Sequence, residues 1–376
     1  MIDRLVLSSF KCFSNQAFDF RPINIFTGYN GRGKSSVFQA LLMMAQSVER
    51  HDSLQTLEVN GCFVHQDLFE DLLNRKANNK ELRFVVEGHD ADNKHQLEIG
   101  FRKKTSTTGK LFALSYDGVN YFEKAADLSG SDDASKKGYL FNYPSESNVL
   151  FRKYSYLSAS RIGPSLYEQK TELDDINPLG SDGQYRLNLL KGNEQLKGQL
   201  NEVVSCIMDG GEISINGEDE SSPVLSVGFK KIGGGDEVFK SVNCGFGYSY
   251  ILSVLIQAII SDGGCLFLEN PEAHLHPCAQ SRLMRVICDI CHRKKTQLFV
   301  ETHSEHILNA VRLSVVKDET EINDQDVSIY FFDKDFTVTP LIIDSIGQIK
   351  PWPVGFFDQQ EDDLSQILSL GLFHQG

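Results

Sequence analysis

Three runs of residues, far apart in the chain, have types and spacing suited to phosphate chemistry. The first is Gly28-Tyr-Asn30-Gly31-Arg-Gly33-Lys34-Ser35, which satisfies G-x-x-x-x-G-K-[ST]. Glycines let a backbone curl until successive N–H groups point inward at phosphate oxygens. Lys34 sets a positive charge near the β- and γ-phosphates, and Ser35 offers a hydroxyl to Mg2+. A β-rich run, Ile23–Phe26, precedes the loop, and Ser35–Met44 follows with apolar residues at helical spacing. The mechanism needs that order, because the helix adds its positive dipole end to the cradle. The expected ligands are ATP and Mg2+.

The second run opens on an apolar strand, Cys265–Leu268, that ends in Glu269 and continues as Asn270-Pro-Glu272-Ala-His274-Leu-His276-Pro277. A carboxylate at the end of a buried strand, next to such a cradle, is placed to hold Mg2+ directly or through water. Ser35 and Glu269 are therefore the metal candidates. In the third run, Thr296–Val300 is apolar-rich and ends in Glu301-Thr-His303-Ser304. A histidine at such a strand end can reach a γ-phosphate or an attacking water.

These runs need a scaffold, and the chain is long enough to build one. It has 376 residues, 41% hydrophobic and 23% charged, which are globular values. No stretch approaches about 18 uninterrupted apolar residues. The start, Met1-Ile2-Asp3-Arg4, lacks the layout of a signal peptide, so a cytoplasmic location is expected. The net charge of −14 argues against indiscriminate wrapping of nucleic acid. Short basic clusters at Arg102-Lys103-Lys104, Arg152-Lys153 and Arg293-Lys294-Lys295 read as solvated surface. The eight cysteines are scattered, as in a reducing compartment. Cys288-Asp-Ile-Cys291-His292 has the spacing of a haem attachment, but Leu283, Ile287 and Ile290 around it fall at helical spacing. The pair reads as small buried hydrophobes.

Along the chain, Arg4–Ser8 and Phe18–Phe20 read as strands. Alternation in Leu82/Phe84/Val86, Leu97/Ile99/Phe101 and Leu111–Tyr116, with the turn signal Asp117-Gly118, predicts an antiparallel β subdomain at about 80–160. Ala126–Gly138 reads as an exposed loop and Gly233-Gly234-Gly235 as a turn. A helical pattern returns at Gln195–Met208. Val327–Phe332 and Leu341–Ile343 read as late strands, and Leu364–Leu372 as a short helix.

The three runs, in this order, resemble the ABC-type ATPase heads of SMC, RecF and OLD proteins. They are most similar to bacterial AAA-family ATPases with a small C-terminal domain of unknown function. Leu5–Ser8 and Phe10-Lys11-Cys12-Phe13 resemble that family's opening. Glu269–Pro277 resembles its Walker B motif and D-loop, which accounts for His274 and His276 without zinc. Glu301–His306 resembles its switch-histidine segment, and Trp352–Asp358 its C-terminal signature. The resemblance implies an α/β P-loop ABC-type head over 1–325, with a mixed central sheet, the antiparallel β subdomain and a helical insertion at about 165–240. Residues 326–376 would be the small C-terminal domain. It adds Lys11, Asn30, Gly31 and Ser36 to the nucleotide-contacting set beside Gly28, Gly33, Lys34 and Ser35.

ABC heads also present a signature loop to the nucleotide of the opposite subunit. Asn243-Cys-Gly245-Phe-Gly247-Tyr-Ser249, before an apolar helix, resembles it, although the glycine spacing differs and Tyr250 stands where relatives carry Gln. Arg161, in Tyr156–Pro164, is at the segment resembling the glutamine loop. It would sense nucleotide or join the dimer interface, or be a structural arginine. Most ABC ATPases place a catalytic Glu after the Mg2+-binding Asp. Here Glu269 takes the Asp position and Asn270 the place of the base. Asparagine orients water but accepts no proton at neutral pH. Glu272 would serve if the loop brings it inward, and otherwise His303 and positioning alone give slow turnover.

The implied function is an ATP-driven switch. Nucleotide closes a head-to-head homodimer or higher oligomer, and the output passes through a separate effector, a nuclease or toxin, as in sensor ATPases of bacterial anti-phage systems. Two alternatives stay open. One is a RecF-like DNA-repair clamp, which keeps nucleic acid as a partner. The other is a non-hydrolysing, nucleotide-dependent scaffold.

Overall fold

Period-two apolar runs and one Gly-rich turn shape the first half of the fold. The computed structural model describes residues 1–77, 80–90, 93–121, 143–173, 176–219, 221–230, 237–317 and 321–373. Strands β1 (Ile2–Phe10) and β2 (Phe13–Asp19) form a hairpin, and β3 (Ile23–Gly28) leads into helix α1 (Lys34–His51). There follow β4 (Thr56–Glu58), β5 (Glu81–His89), β6 (Lys94–Lys103), β7 (Thr108–Tyr116) and β8 (Val119–Asn120). They join the hairpin in one antiparallel sheet ordered β2-β1-β5-β6-β7-β4, with β8 beside β7. Asp117 and Gly118 both have positive φ, 49° and 77°, as a tight hairpin turn needs.

The expected β subdomain at about 80–160 is thus wider at its start and shorter at its end. The N-terminal hairpin covers the edge of β5 that would otherwise stand open, through antiparallel pairing with β1. Strand β9 (Tyr154–Leu157) leaves this sheet and pairs in parallel with a later strand. The loop expected at Ala126–Gly138 and the turn at Gly233–Gly235 lie outside the described residues.

The segment expected as a helical insertion, 165–240, carries α2 (Arg186–Leu190) and α3 (Glu194–Met208). It also carries β10 (Glu168–Gln169), β11 (Glu212–Asn216), β12 (Val224–Lys230) and β13 (Phe239–Lys240), a small antiparallel sheet. The reason is local: Leu225, Val227 and Phe229 are buried on alternate positions.

The rest alternates helix and strand: α4 (Phe246–Ile260), β14 (Cys265–Glu269), α5 (Pro277–Arg293), β15 (Gln297–Glu301) and α6 (Glu305–Val316). It closes with β16 (Val327–Phe332), β17 (Val338–Ile343), β18 (Ile349–Lys350) and α7 (Gln359–Phe373). The central sheet runs β18-β17-β16-β3-β15-β14-β9, parallel from β16 to β9 and antiparallel at β17 and β18, hence mixed. The strands expected after residue 326 are therefore not a separate layer: β16 lies beside β3 in register from Val327↔Ile23 to Phe332↔Gly28.

Alternation splits the core in two across this sheet. Ile25, Leu268 and Val300 face an aliphatic core with α4, α5 and α6. Phe26, Phe267 and Phe299 face an aromatic core shared with α1 and the antiparallel sheet. Phe267 stacks on Phe299 at 4.5 Å, and Phe38 of α1 sits edge-on to Phe26 at 5.2 Å. Helix α1 is buried nearly all round from Val37 to Val48, as a helix between two sheets must be. Cys288 and Cys291 sit buried on α5 in the aliphatic core, as small hydrophobes. No helix among the described residues is long and apolar enough to cross a membrane.

One buried ion pair ties the insertion to α4. Arg186 is fully buried and donates to Glu168 Oε1 (2.8 Å), Ile162 O (2.7 Å), Gly163 O (2.8 Å), Ser249 O (3.2 Å) and Ser165 Oγ (3.3 Å). Burial raises the Glu168 carboxyl above its usual range, against the pull of Arg186. Removing one member strands the other, at about 3–5 kcal/mol. Arg186→Ala is expected to lose that much in urea unfolding, whereas Arg186→Met with Glu168→Leu should lose less. An unchanged midpoint for Arg186→Ala would remove the pair from the fold's support.

Candidate functional site

Because the parallel strands share a register, their carboxyl ends form one row. Gly28 sits across from Phe332, Phe26 from Glu301, and Glu301 from Glu269. Ligands bind at such an edge in open α/β sheets. The loop from Gly28 to Lys34 turns with φ of 121° at Gly28, 69° at Gly31 and 105° at Gly33. Side chains are excluded twice over at two of these. A Cβ on Gly28 would lie 2.3 Å from Phe332 O, and one on Gly33 would lie 2.5 Å from Cys12 Sγ.

Lys34 is buried and donates to Gly28 O (3.1 Å) and Tyr29 O (2.8 Å), so its ammonium lies across the loop's mouth. Glu301 Oε1 stands 4.0 Å from it. Glu301 Oε2 accepts from Ser35 Oγ at 2.6 Å. Burial, with Glu269 adding to it, pushes the Glu301 carboxyl up to about 7, although Ser35 and Lys34 pull the other way. Burial lowers the basicity of Lys34, and Glu301 opposes that shift. Glu301 was not among the site residues expected from sequence. Its signal was there, since Glu301 ends an apolar strand just as Glu269 does.

Glu269 is half-buried. It accepts from Ala159 N at 3.2 Å and bonds the Tyr156 hydroxyl. Burial raises its carboxyl. Ser35, Glu269 and Glu301 together make an all-oxygen donor set, the kind Mg2+ takes. The residues present therefore fit the implied ion, with Ser35 and Glu269 as the direct candidates.

Past Glu269 the chain turns sharply, with positive φ at Asn270 (45°) and His274 (63°), a left-handed turn that Asn and His tolerate better than most residues. The turn brings Glu272 inward. Its Oε1 accepts from His303 N at 3.0 Å and from Asn270 Nδ2 at 3.4 Å. Its Oε2 is buried and meets no hydrogen-bond partner. Glu272 and His303 line a cavity of about 500 Å3 with Gln280 and Gln359. A second cavity of about 340 Å3 joins Gly28, Asn30 and His303 to Gly355–Gln359. Partial burial and then the Lys34 charge lower the basicity of His303.

Other expected residues fall in different places. Lys11 has its Nζ bonded to Gln39 and Gln66, and burial lowers it to about 8. Ser36 donates its backbone N–H to Gly33 O in the first turn of α1. Arg161 is buried and donates to Ser158 O, Glu269 O and Asn270 O, so it is a positioning residue that fixes the acidic strand end. In the signature-like loop, Asn243 and Gly245 are exposed ahead of α4, whereas Gly247 and Ser249 are buried. A Cβ on Gly247 would meet His274 O at 3.2 Å, and Ser249 lies under Arg186. Gly247 and Ser249 are thus covered by residues of their own chain. His274 stacks on Tyr250 at 4.3 Å, and His276 caps α5 by accepting from Cys278 N.

A glycine cradle on a central parallel strand, a lysine, and acids on the next two strands define a P-loop ATPase of the ABC type. The family model described as AAA domain, putative AbiEii toxin, Type IV TA system matches residues 23–309, and the chain belongs to that family. A second model, a protein of unknown function termed DUF3696, matches residues 322–367. Among solved structures, the SMC head bound to the C-winged helix domain of ScpA is similar, with a TM-score of 0.55 and 15% identity. That likeness covers 91% of this chain and 97% of the other. An SMC head with an extended coiled coil, bound to the C-terminal domain of ScpA, derived from Pyrococcus furiosus, has a TM-score of 0.51 and 13% identity. It covers 97% of this chain and 99% of the other. Both show the fold. No curated protein sequence matches the chain.

The raised Glu301 pKa sets a pH dependence of stability without ligands. The folded state holds this proton more tightly than the unfolded chain, so stability falls as pH rises from about 4.5 through 7. In EDTA, Glu301→Gln is expected to be the more stable protein at pH 8, by roughly 1–3 kcal/mol, and to match wild type near pH 4.5. Parallel thermal melts check this. Equal pH slopes for the two proteins would contradict it.

Proposed function

We propose that the chain is an ATP-hydrolysing switch subunit that closes head-to-head on a second copy and controls a separate effector protein. The observation that carries this is the separation of two half-sites within one chain. The cradle lies at the end of β3, whereas the exposed signature-like loop around Gly245 starts α4, which packs by β9 at the far edge of the sheet. One chain then supplies Lys34 to a triphosphate, and the other supplies N–H groups at the start of its α4. In this reading residues 1–325 act as the head and 326–376 as a C-terminal unit whose β16 completes the head's central sheet. The family's description places its domain in a type IV toxin–antitoxin system, which supports a partner protein and a role in bacterial defence; we take that partner to be a nuclease or toxin and the setting to be anti-phage defence in the cytoplasm.

In this mechanism Lys34 and the loop N–H groups bind the β- and γ-phosphates. Ser35 and Glu269 would hold Mg2+, which when bound would neutralise charge on the phosphate oxygens. Glu272 accepts the proton of the attacking water, because Asn270 cannot and Glu272 Oε2 is free and buried beside His303. Asn270 and His303 orient that water. Asparagine in the usual place of the base and a site completed only by a second chain make basal turnover slow, and turnover rises when the partner binds.

Lys34→Ala is expected to weaken Mg–ATP binding at least about tenfold. Glu272→Gln should keep nucleotide affinity, lower turnover by about 10²-fold or more, and accumulate the nucleotide-bound dimer. Calorimetry, coupled turnover assays and light scattering read these out. Fast basal hydrolysis indifferent to Glu272→Gln would remove the assigned base, and intact binding in Lys34→Ala would remove the function.

A further inference from the structure

Two cavities meet at the nucleotide edge, and the C-terminal segment walls both. The smaller, about 340 Å3, opens beside the mouth of the cradle. Lys34 Nζ donates to Gly28 O and Tyr29 O, and those two residues line it with Asn30 and Gly355–Gln359. On the reading above, that is the γ-phosphate end. The larger, about 500 Å3, reaches Glu272, whose Oε2 meets no partner. Among the described residues, His303, Phe357 and Gln359 line both. A water that attacks the γ-phosphorus needs the phosphate on one side and the base on the other. It therefore stands where the two spaces adjoin, and His303 and Gln359 are the polar side chains common to them.

The segment that carries Gln359 is pinned against the cradle. Phe356 is buried and packs on Phe331 at 5.5 Å and on Trp352 at 4.7 Å. Asp358 Oδ2 accepts from Gly355 N at 2.7 Å. Gly355 has φ of 83°, and a Cβ there would lie 2.5 Å from Tyr29 Oη. Phe357 has φ of 56°. A bulky residue at positive φ is an outlier that persists only where its surroundings hold it, and such residues cluster at functional sites. Two residues past that bend, Gln359 opens α7 where the two cavities join.

The chemistry of this side chain suits the place. An amide carries a carbonyl oxygen and two N–H donors. It can accept from a water and donate to a phosphate oxygen at once, and it takes no proton itself. Gln359 Nε2 donates to Asp363 Oδ1 at 2.8 Å, one turn along α7. That bond needs only one of the two N–H groups.

We propose that Gln359 is a further residue of the hydrolytic site, supplied by the C-terminal segment of the same chain, and that its amide holds the attacking water between the γ-phosphate and Glu272. This rests on the ATPase reading above. In the step, the water oxygen bonds to the γ-phosphorus and one water proton passes to Glu272. The bond from the γ-phosphorus to the bridging oxygen breaks, and ADP leaves with that electron pair. Gln359 gains and loses no proton.

The test is single-turnover hydrolysis of Mg–ATP by the full chain, with nucleotide affinity measured in parallel by calorimetry. Gln359→Ala is expected to slow hydrolysis of the bound nucleotide by about 10- to 100-fold. Its affinity should stay within about twofold of wild type, because the amide acts on the water rather than on nucleotide binding. Asp363→Ala removes the bond on the helix and keeps the amide, and Gln360→Ala alters the neighbour. Both should hydrolyse within about twofold of wild type. That split separates an amide that holds water from one that braces α7. If Gln359→Ala hydrolyses at the wild-type rate, or Asp363→Ala slows the step equally, the assignment is overturned, and a slow Glu272→Gln beside it leaves the ATPase reading standing. If wild type binds Mg–ATP and never hydrolyses it, both fall together.

Discussion

Two carboxylates end neighbouring parallel strands in the same register, and the rest of the site answers to them. Glu269 and Glu301 are one strand apart, and neighbouring strands lie about 4.8 Å apart. Two like charges at that distance in a poorly hydrated edge disfavour each other's ionisation. Burial first, and the Glu269 charge after it, keep the proton on Glu301 up to about 7. Lys34 and the Ser35 hydroxyl offset part of the cost, and a divalent cation would offset the rest.

That row of acids exists only because two different cores hold the strands flat against each other. Aromatic rings fill one side of β3, β14 and β15, where Phe26, Phe267 and Phe299 stack with α1. Aliphatic side chains fill the other. Shifting one strand by one residue would exchange the faces and bury the wrong set. The strand ends are thus fixed by packing far from the chemistry. A left-handed turn follows just past the row, at Asn270 and His274, and places Glu272 against His303.

Strand β16 binds the C-terminal part of the chain to the cradle. Phe332 pairs with Gly28 and its carbonyl accepts from Tyr29 N at 2.9 Å, so the first residues of the loop lean on a strand from the last fifth of the sequence. Any side chain at Gly28 would strike that carbonyl. The loop and the segment up to Gln359 therefore touch directly, with Gly355 against Tyr29.

The local pieces of the site could be read from sequence because each is a short run whose chemistry depends on adjacent residues. Gly28–Ser35 demands its own backbone, Cys265–Glu269 and Gln297–Glu301 are apolar strands with acids at their ends, and alternation gives the β strands. The resemblance to ABC-type heads supplied the overall fold class. What needed tertiary structure depends on residues distant in sequence. Pairing of Glu301 with Ser35 and Lys34, insertion of β16 beside β3, the contact of Arg186 with Ser249, packing of Gly247 against His274, and delivery of Glu272 to His303 all join segments tens to hundreds of residues apart. A periodic pattern says which face of an element is apolar, but not which partner will cover it, because that choice is made by the packing of the whole core.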